Sequence, residues 1–318
     1  MKVLVPLNNL EHIDDYIEAG AGEFYIGFYD EDWSQRFGEF ADINRMSGFK
    51  EISNPYDLET VMEIIKDVKS KEKEIYITFN SSLYSGEQLE RMKHYFKRLK
   101  EASIDGVIVS CIEQVIIAKE IGVPSVISTI SGVYNEDIAK FYYEKGAKRI
   151  ILPRDLAISE IEAIKEAVPG AEYEVFMMRN GCSFSDSNCL GLHRKERCSI
   201  CSSIKKAGKE LLLKDRDFHS RNNMELNDMI YNNSFHNYAC GLCSIYQFVK
   251  MGIKACKIVG RSDEWQYICQ DIKVVKDNID LVETCNCEKE FLDRMYFPEE
   301  RVMMCKLGLS CYYPEVRF

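Results

Sequence analysis

Cys182, Cys189, Cys198 and Cys201 place four of the chain's 13 cysteines within 20 residues. They follow a short apolar stretch, Tyr173 to Met178, and sit in a polar run containing Gly181, Ser183, Ser185 and Ser187. Thiolates are soft ligands, and a loop springing from a rigid strand end is where a fold presents them to a metal. Four thiols suit a tetrahedral zinc or an iron-sulfur cluster, and His193 is the one nitrogen donor in the loop. Closed zinc sites are commonly built from two Cys-x-x-Cys knuckles, a spacing found at Cys198/Cys201 and again at Cys240/Cys243. The irregular spacing of Cys182 and Cys189 fits cluster ligation better, with Cys240 able to reach the same face. A polar loop is a poor place for thiols that merely pack. In the last part of the chain Cys285, Cys287, Cys305 and Cys311 offer a possible second metal site, with packing in a compact tail as the competing reading. Cys256 and Cys269 fall on core faces. Cys111 lies at a strand end with no histidine adjacent in sequence to activate it, and is read as filler rather than nucleophile.

The elements that must position these residues alternate regularly. Apolar strands are expected at Lys2–Leu7, Glu23–Phe28, Ile75–Phe79, Gly106–Ser110, Ser125–Thr129, Arg149–Leu152, Glu174–Met178 and Ala255–Gly260, each separated from the next by a helical pattern. The segment with Trp33, Phe37 and Phe40 is too long for a tight connection and is a candidate functional loop. Eight strand-then-helix units, with strands apolar on both faces, predict an α/β fold: a TIM-like (β/α)8 barrel with a cysteine-rich loop after strand seven and a small C-terminal appendix. The Gly-rich phosphate loop of an open dinucleotide-binding sheet is missing after the first strand. Residues 1–261 are expected to form the barrel, with residues 179–243 as its inserted cysteine-rich segment, and residues 262–318 a helical, cysteine-containing cap. Active faces of such barrels lie at the C-terminal strand ends, which selects Asn80, Cys111, Thr129, Arg154, Arg179 and Arg261. Of these, Asn80, Arg154 and Arg179 are the candidate substrate-binding residues, the arginines for an anionic donor or substrate. Asp186 is read as a solvated loop acid.

Composition narrows the classes. With 318 residues, 46% of them hydrophobic, the chain can bury a full core without disulfide staples, so the thiols are expected to be reduced. No stretch has the length and apolarity of a membrane span, no cleavable leader is evident, and a cytoplasmic protein is expected. A formal net charge of -10 disfavours a nucleic-acid partner and favours a small-molecule substrate.

The residues also resemble a known family. Glu174-Val175-Phe176 leading to Cys182, then Ser185, Cys189-Leu190 and the Cys198/Cys201 pair, look like the signature of peptidase family U32, the collagenase-like peptidases. Further ordered similarities are Val5-Pro6 with Asn9-Leu10-Glu11, Thr78-Phe79-Asn80, Ser128-Thr129 with Asn135, Pro153-Arg154-Asp155-Leu156, and Lys257-Ile258-Val259-Gly260-Arg261. The resemblance implies a barrel and, by analogy with the family's iron-sulfur members, support of oxygen-independent hydroxylation of ubiquinone precursors or RNA bases. It also implies a 4Fe-4S cluster on Cys182, Cys189, one or both of Cys198 and Cys201, and Cys240, and a possible protein partner of the same family. Met178 stands where the family has histidine, the Cys198/Cys201 pair is spaced more tightly, and Val259 replaces an acidic residue.

The leading expectation is therefore an iron-sulfur redox protein, a hydroxylase acting on a small molecule. The alternatives are an RNA-base hydroxylation factor, a U32-type hydrolase, and a cluster-bearing partner subunit without catalysis. The five histidines are scattered, and neither a nucleophile elbow nor a zinc-protease helix is present in the sequence.

Overall fold

The computed structural model describes residues 1–38, 41–182, 185–189, 193 and 235–317. Eight parallel strands close into a barrel: β1 (Lys2–Pro6), β2 (Glu23–Ile26), β3 (Glu74–Phe79), β4 (Gly106–Val109), β5 (Ser125–Ile127), β6 (Arg149–Ile151), β7 (Glu172–Met178) and β8 (Ala255–Ile258). Closure is made by β1 against β8, with Lys2 beside Ala255 and Leu4 beside Lys257. The strands match the expected runs to within two residues, because nearly every strand position is buried and the apolar pattern is strong.

The helices follow from capping and periodicity. They are α1 (Ile13–Ala19), α2 (Glu31–Phe37), α3 (Leu58–Ser70), α4 (Gly86–Glu101), α5 (Ile112–Ile121), α6 (Glu136–Lys145), α7 (Ile158–Ala167), α8 (Ile245–Met251), α9 (Trp265–Val282), α10 (Glu288–Arg294) and α11 (Glu299–Lys306). In α3, Asp57 caps the N-terminus by accepting from Thr60 N, and Leu58, Val61, Ile64, Ile65 and Val68 form the buried stripe. In α4 a Ser85/Gln88 capping box does the same work. Gly122, Gly146 and Gly252 end α5, α6 and α8 in the left-handed conformation.

Two boundaries differ from expectation. The helix α9 packs against α1, α8 and the β1/β8 seam, so it completes the eighth unit, and a division at residue 261 cuts that unit. Its Ile268, Ile272 and Val275 face is as buried as that of any barrel helix. The segment after β2 is also not wholly a loop: Asp30 caps α2, and Trp33 is buried against Phe37 and Tyr95.

Side chains two apart on a strand share a face, and the inward face here is unusually polar. Arg149 on β6 pairs with Glu23 on β2 through Nη1–Oε2 and Nη2–Oε1 contacts of 2.5 and 3.0 Å, and through Nε with Glu172 at 3.0 Å. Its guanidinium lies 4.8 Å from the Tyr76 ring centre. One layer higher, Lys257 pairs with Glu174 at 3.0 Å and sits 4.0 Å from the centre of the Tyr25 ring. Barrel interiors are more commonly packed with branched apolar residues. This ionic column runs up the barrel axis into the floor of the cavity described next.

Candidate functional site

At the C-terminal mouth the strand ends enclose a cavity of about 370 Å³. Its apolar wall includes Tyr25, Met46, Phe49 and Phe176, and its polar lining includes Arg154, Lys257, Arg261, Asn80, Cys182, His193 and His236. The size and mixture suit a small molecule with an apolar body and a few anchored polar groups.

Behind its polar wall, bonded to the lining residues Arg45, Thr129 and Arg154, lies Asp186. The sequence reading made it a solvated loop acid; it is fully buried instead. Its Oδ2 accepts from Arg154 Nε at 2.8 Å and Thr129 Oγ1 at 3.0 Å, and its Oδ1 accepts from Arg45 Nη1 at 3.1 Å. Burial alone would raise the Asp186 carboxyl, but Arg154 and Arg45 outweigh it and hold the group below the usual carboxylate range. Arg154 is fixed further by donating to Asn180 O at 2.9 Å and by lying 4.1 Å from the centre of the Phe176 ring. The cysteine-rich loop is thus tied at Asp186 to the residues after β5, to those after β6 and to the β2–α3 segment.

That segment also frames Arg261, which follows β8. The Arg261 guanidinium is buried, and its partners are all neutral: Asn54 Oδ1, Thr78 Oγ1 and Asn44 Oδ1, each at 3.2 Å. Among the described residues these three bonds leave two of its five N–H donors unused. Burial pushes the group down to about 10, so it remains charged at neutral pH. Gly27 makes room for it, since a Cβ at that position would overlap both Arg261 Nη1 and Asn54 Oδ1. Unlike Arg154, this cation has no carboxylate among the described residues.

The backbone after β7 turns sharply. Arg179 and Asn180 both adopt left-handed conformations, with φ of 62° and 47°. Such residues cost about 1–3 kcal/mol each and persist where the surroundings fix them. Gly181 follows because a Cβ there would stand 2.5 Å from Phe235 O. The turn directs Asn180 to the cavity, where its Nδ2 donates to Asp263 Oδ2 at 2.9 Å. Arg179 is placed elsewhere: its Nε pairs with Asp271, and its Nη2 donates to Tyr267 O at 3.3 Å. It lines a neighbouring cleft with Tyr267, Gln270 and Glu300 instead of the barrel mouth.

The remaining candidates separate as follows. Asn80 lines the cavity, accepts from Arg45 N at 3.3 Å and donates to Ser128 Oγ at 3.1 Å. Cys182 lines the cavity and Cys189 is buried close by; for Arg45, burial alone would lower its guanidinium, while Asp186, Cys189 and Cys182 raise it. Cys198 and Cys201 lie outside the described residues. Cys111 is absent from the cavity wall, and burial pushes its thiol up to about 12, away from nucleophilic use. Cys240 points into a different pocket, with Cys243, Cys305 and Cys311. Cys285 is buried in the core and Cys287 is exposed, so the tail thiols do not form one set. Among the described residues no three His, Cys, Asp or Glu side chains are already drawn together as a bound metal would draw them.

Residues that sequence reasoning passed over are Arg45, Lys257 and His236, whereas His193, the nitrogen donor of the loop, lies on the cavity wall. Lys257 carried a visible signal, being a lysine inside an apolar strand. His236 is 43 positions from His193 in the chain, and nothing local marks it.

Comparison with known proteins places this geometry in context. The family model of peptidase family U32 matches residues 8–306. The tRNA hydroxylation protein P of Helicobacter pylori is 25% identical over 192 residues, which is 60% of this chain and 42% of that protein. The tRNA hydroxylation protein P1 of Bacillus subtilis is 24% identical over 312 residues, 92% of this chain and 67% of that protein. A collagenase of Porphyromonas gingivalis is 23% identical over 296 residues, 88% of this chain and 65% of its own. The chain spans less than half the length of the Helicobacter relative. A solved U32 peptidase structure aligns over 56% of this chain and 69% of its own, with 14% identity and a TM-score of 0.44. The barrel assignment rests on this chain's own strand pairing.

Proposed function

The chain belongs to peptidase family U32, and from that premise we propose that it is an iron-sulfur hydroxylation protein whose barrel mouth binds a small, apolar-bodied carboxylate. The observation that carries this reading is the meeting of Cys182 with Arg261, Lys257 and Arg154 around one 370 Å³ cavity. The donor chemistry fits the cluster: Cys182 and Cys189 are soft sulfur donors beside the half-buried cation Arg45, whose positive charge complements the anionic ligand set a cluster needs. They would hold the cluster with thiols from Cys198 and Cys201. When bound, such a cluster supplies one-electron transfer, at a potential set by its hydrogen bonds and burial.

The chain's own residues do the rest. Arg261 offers its two unused N–H donors to a carboxylate, the bidentate arrangement that guanidinium geometry favours. Tyr25, Phe49 and Phe176 cover the apolar body and exclude water from it. Arg154 is committed to Asp186 and acts as a positioning residue, holding the thiol-bearing loop against the mouth.

Relatives named as tRNA hydroxylation proteins favour a second version, in which the acceptor of the oxygen is a tRNA base and the bound carboxylate is the co-substrate. The charge of -10 works against this chain gripping a polyphosphate backbone alone. A hydrolase remains as the third reading, favoured by the collagenase relative and by the shared position of Cys182, His193 and His236.

The discriminating experiment uses cells with and without the gene, grown without oxygen. Nucleosides from tRNA and the small-molecule extract are compared by mass spectrometry for a gene-dependent gain of one oxygen atom. A gain in the small-molecule pool alone is the expected result. A gain in tRNA nucleosides selects the RNA version, and gain in neither pool overturns the hydroxylation reading.

A further inference from the structure

Four thiols from two distant stretches of chain meet in a pocket separate from the cavity of the barrel mouth. Cys240 precedes, and Cys243 lies within, the turn Leu242–Ser244 that leads into α8. Cys305 ends α11, and Cys311 follows a reversal at Gly308, where φ is 71° and Gly308 N donates to Cys305 O at 2.9 Å. The two stretches are joined by backbone bonds: Cys240 N donates to Ser310 O at 2.8 Å and Tyr312 N to Cys240 O at 2.9 Å. All four cysteines line one enclosed space of about 10 Å³, room for a single atom of water size.

We propose that Cys240, Cys243, Cys305 and Cys311 form a tetrathiolate site for zinc, separate from the thiols of the cysteine-rich loop. The spacing supports it, since Cys240-x-x-Cys243 is a knuckle and Cys305 and Cys311 supply the second pair. Local bonding supports it too, because Cys240 N and O are both held by backbone bonds to Ser310 and Tyr312, which fix the two thiol-bearing stretches against each other. A further observation is independent of the thiols. Arg301 is buried beside Cys240; its Nη2 pairs with Asp271 at 3.1 Å, and among the described residues its buried Nε has no acceptor. A cation with an unmet N–H is what a site of net charge -2 requires of its surroundings, and Arg317 on the pocket wall adds a second positive charge.

Packing alone is the competing account, since free cysteine is a small hydrophobe. It explains Cys256, which is isolated in the core, but gives no reason for four thiols in one pocket with a charged neighbour. The sulfurs are not at ligand spacing now, about 3.8 Å apart for 2.3 Å bonds in a tetrahedron, so binding must draw them together. The reaction is an exchange without redox change: four S–H bonds break, four protons pass to solvent and four Zn–S bonds form. Cys240 then belongs to this site, which leaves Cys182, Cys189, Cys198 and Cys201 for the cluster of the loop. The site itself does not depend on the proposed hydroxylation.

Zinc and iron are measured on protein purified without air, for wild type and for Cys243→Ser, Cys305→Ser and Cys182→Ser, followed by cobalt(II) titration of metal-stripped protein. Wild type is expected to carry about one zinc per chain and to give the intense sulfur-to-cobalt charge-transfer absorption of a tetrathiolate. Zinc content falls at least about fivefold in Cys243→Ser and Cys305→Ser and is retained in Cys182→Ser, which loses iron instead. Cys305→His keeps a ligand at the position and restores zinc if Cys305→Ser fails to fold. Absence of zinc and of the cobalt spectrum in wild type overturns the proposal. So does zinc unaffected by the Cys243 and Cys305 variants, or a Cys305–Cys311 disulfide found by mass spectrometry. Loss of iron without loss of zinc in Cys182→Ser separates the two sites, whatever the protein hydroxylates.

Discussion

Asp186→Ala is expected to lower the unfolding free energy by about 3–5 kcal/mol, the cost of stranding buried charge when one member of an ion-paired set is removed. The reason is specific. Arg154 and Arg45 meet on the Asp186 carboxylate, and neither is given another carboxylate by the described residues. Domains of this kind have about 5–15 kcal/mol of stability in all, so a large part of it hangs on one loop acid. Urea unfolding measures the loss. Asp186→Asn keeps an acceptor oxygen without the charge and should fall between the two proteins. The pH dependence has a fixed sign. The folded carboxyl titrates below its unfolded value, so its contribution is complete above about pH 4 and is lost as pH falls further. The acid limb of the stability profile should therefore be shallower in Asp186→Ala. A change below about 1 kcal/mol would mean that the loop is not held as described.

Arg261→Met has the opposite signature. The guanidinium is buried against Asn44, Asn54 and Thr78 with no counter-charge among the described residues, an arrangement that costs the free protein stability. Replacing it removes three hydrogen bonds from a charged donor to neutral acceptors, worth about 1.5–3 kcal/mol each, and also removes the burial penalty of the charge, which is several kcal/mol, so the two largely offset. The variant should be no more than about 1 kcal/mol less stable than wild type, or more stable. Anion binding, by contrast, loses a charge-assisted contact of about 1.5–3 kcal/mol, roughly a ten- to hundredfold weakening. Benzoate, an aromatic carboxylate small enough for the cavity, is a suitable probe by titration calorimetry. Equal benzoate affinity in the two proteins would remove Arg261 from the binding site. Marked destabilisation with unchanged affinity would make the residue purely structural.

The barrel was legible because each strand is a continuous apolar run and each helix carries its own stop signal, as at Gly122, Gly146 and Gly252. The chemistry inside it was less so. Arg45 and Asp186 are 141 positions apart, and nothing local to either marks the other. Asp186 looked solvated because its neighbours are serines and an asparagine; long-range closure of the loop over Thr129 and Arg154 is what buries it. Arg154 and Arg261 could be chosen from the rule that strand ends line the mouth. The same rule chose Arg179, and the left-handed backbone at that residue sends its side chain to Asp271 instead. Among the cysteines, spacing grouped four tail thiols together. The fold divides them, because Cys285 closes the core at the end of α9 and Cys287 caps α10, while Cys305 and Cys311 join Cys240 and Cys243.

The most direct measurement is iron and acid-labile sulfide, with an absorption spectrum, on anaerobically purified wild type and Cys189→Ser. The account predicts about four irons and four sulfides per chain in wild type, a broad visible absorption, and loss of both in the variant. Wild-type protein without iron or sulfide, or a spectrum unchanged by Cys189→Ser, would contradict it.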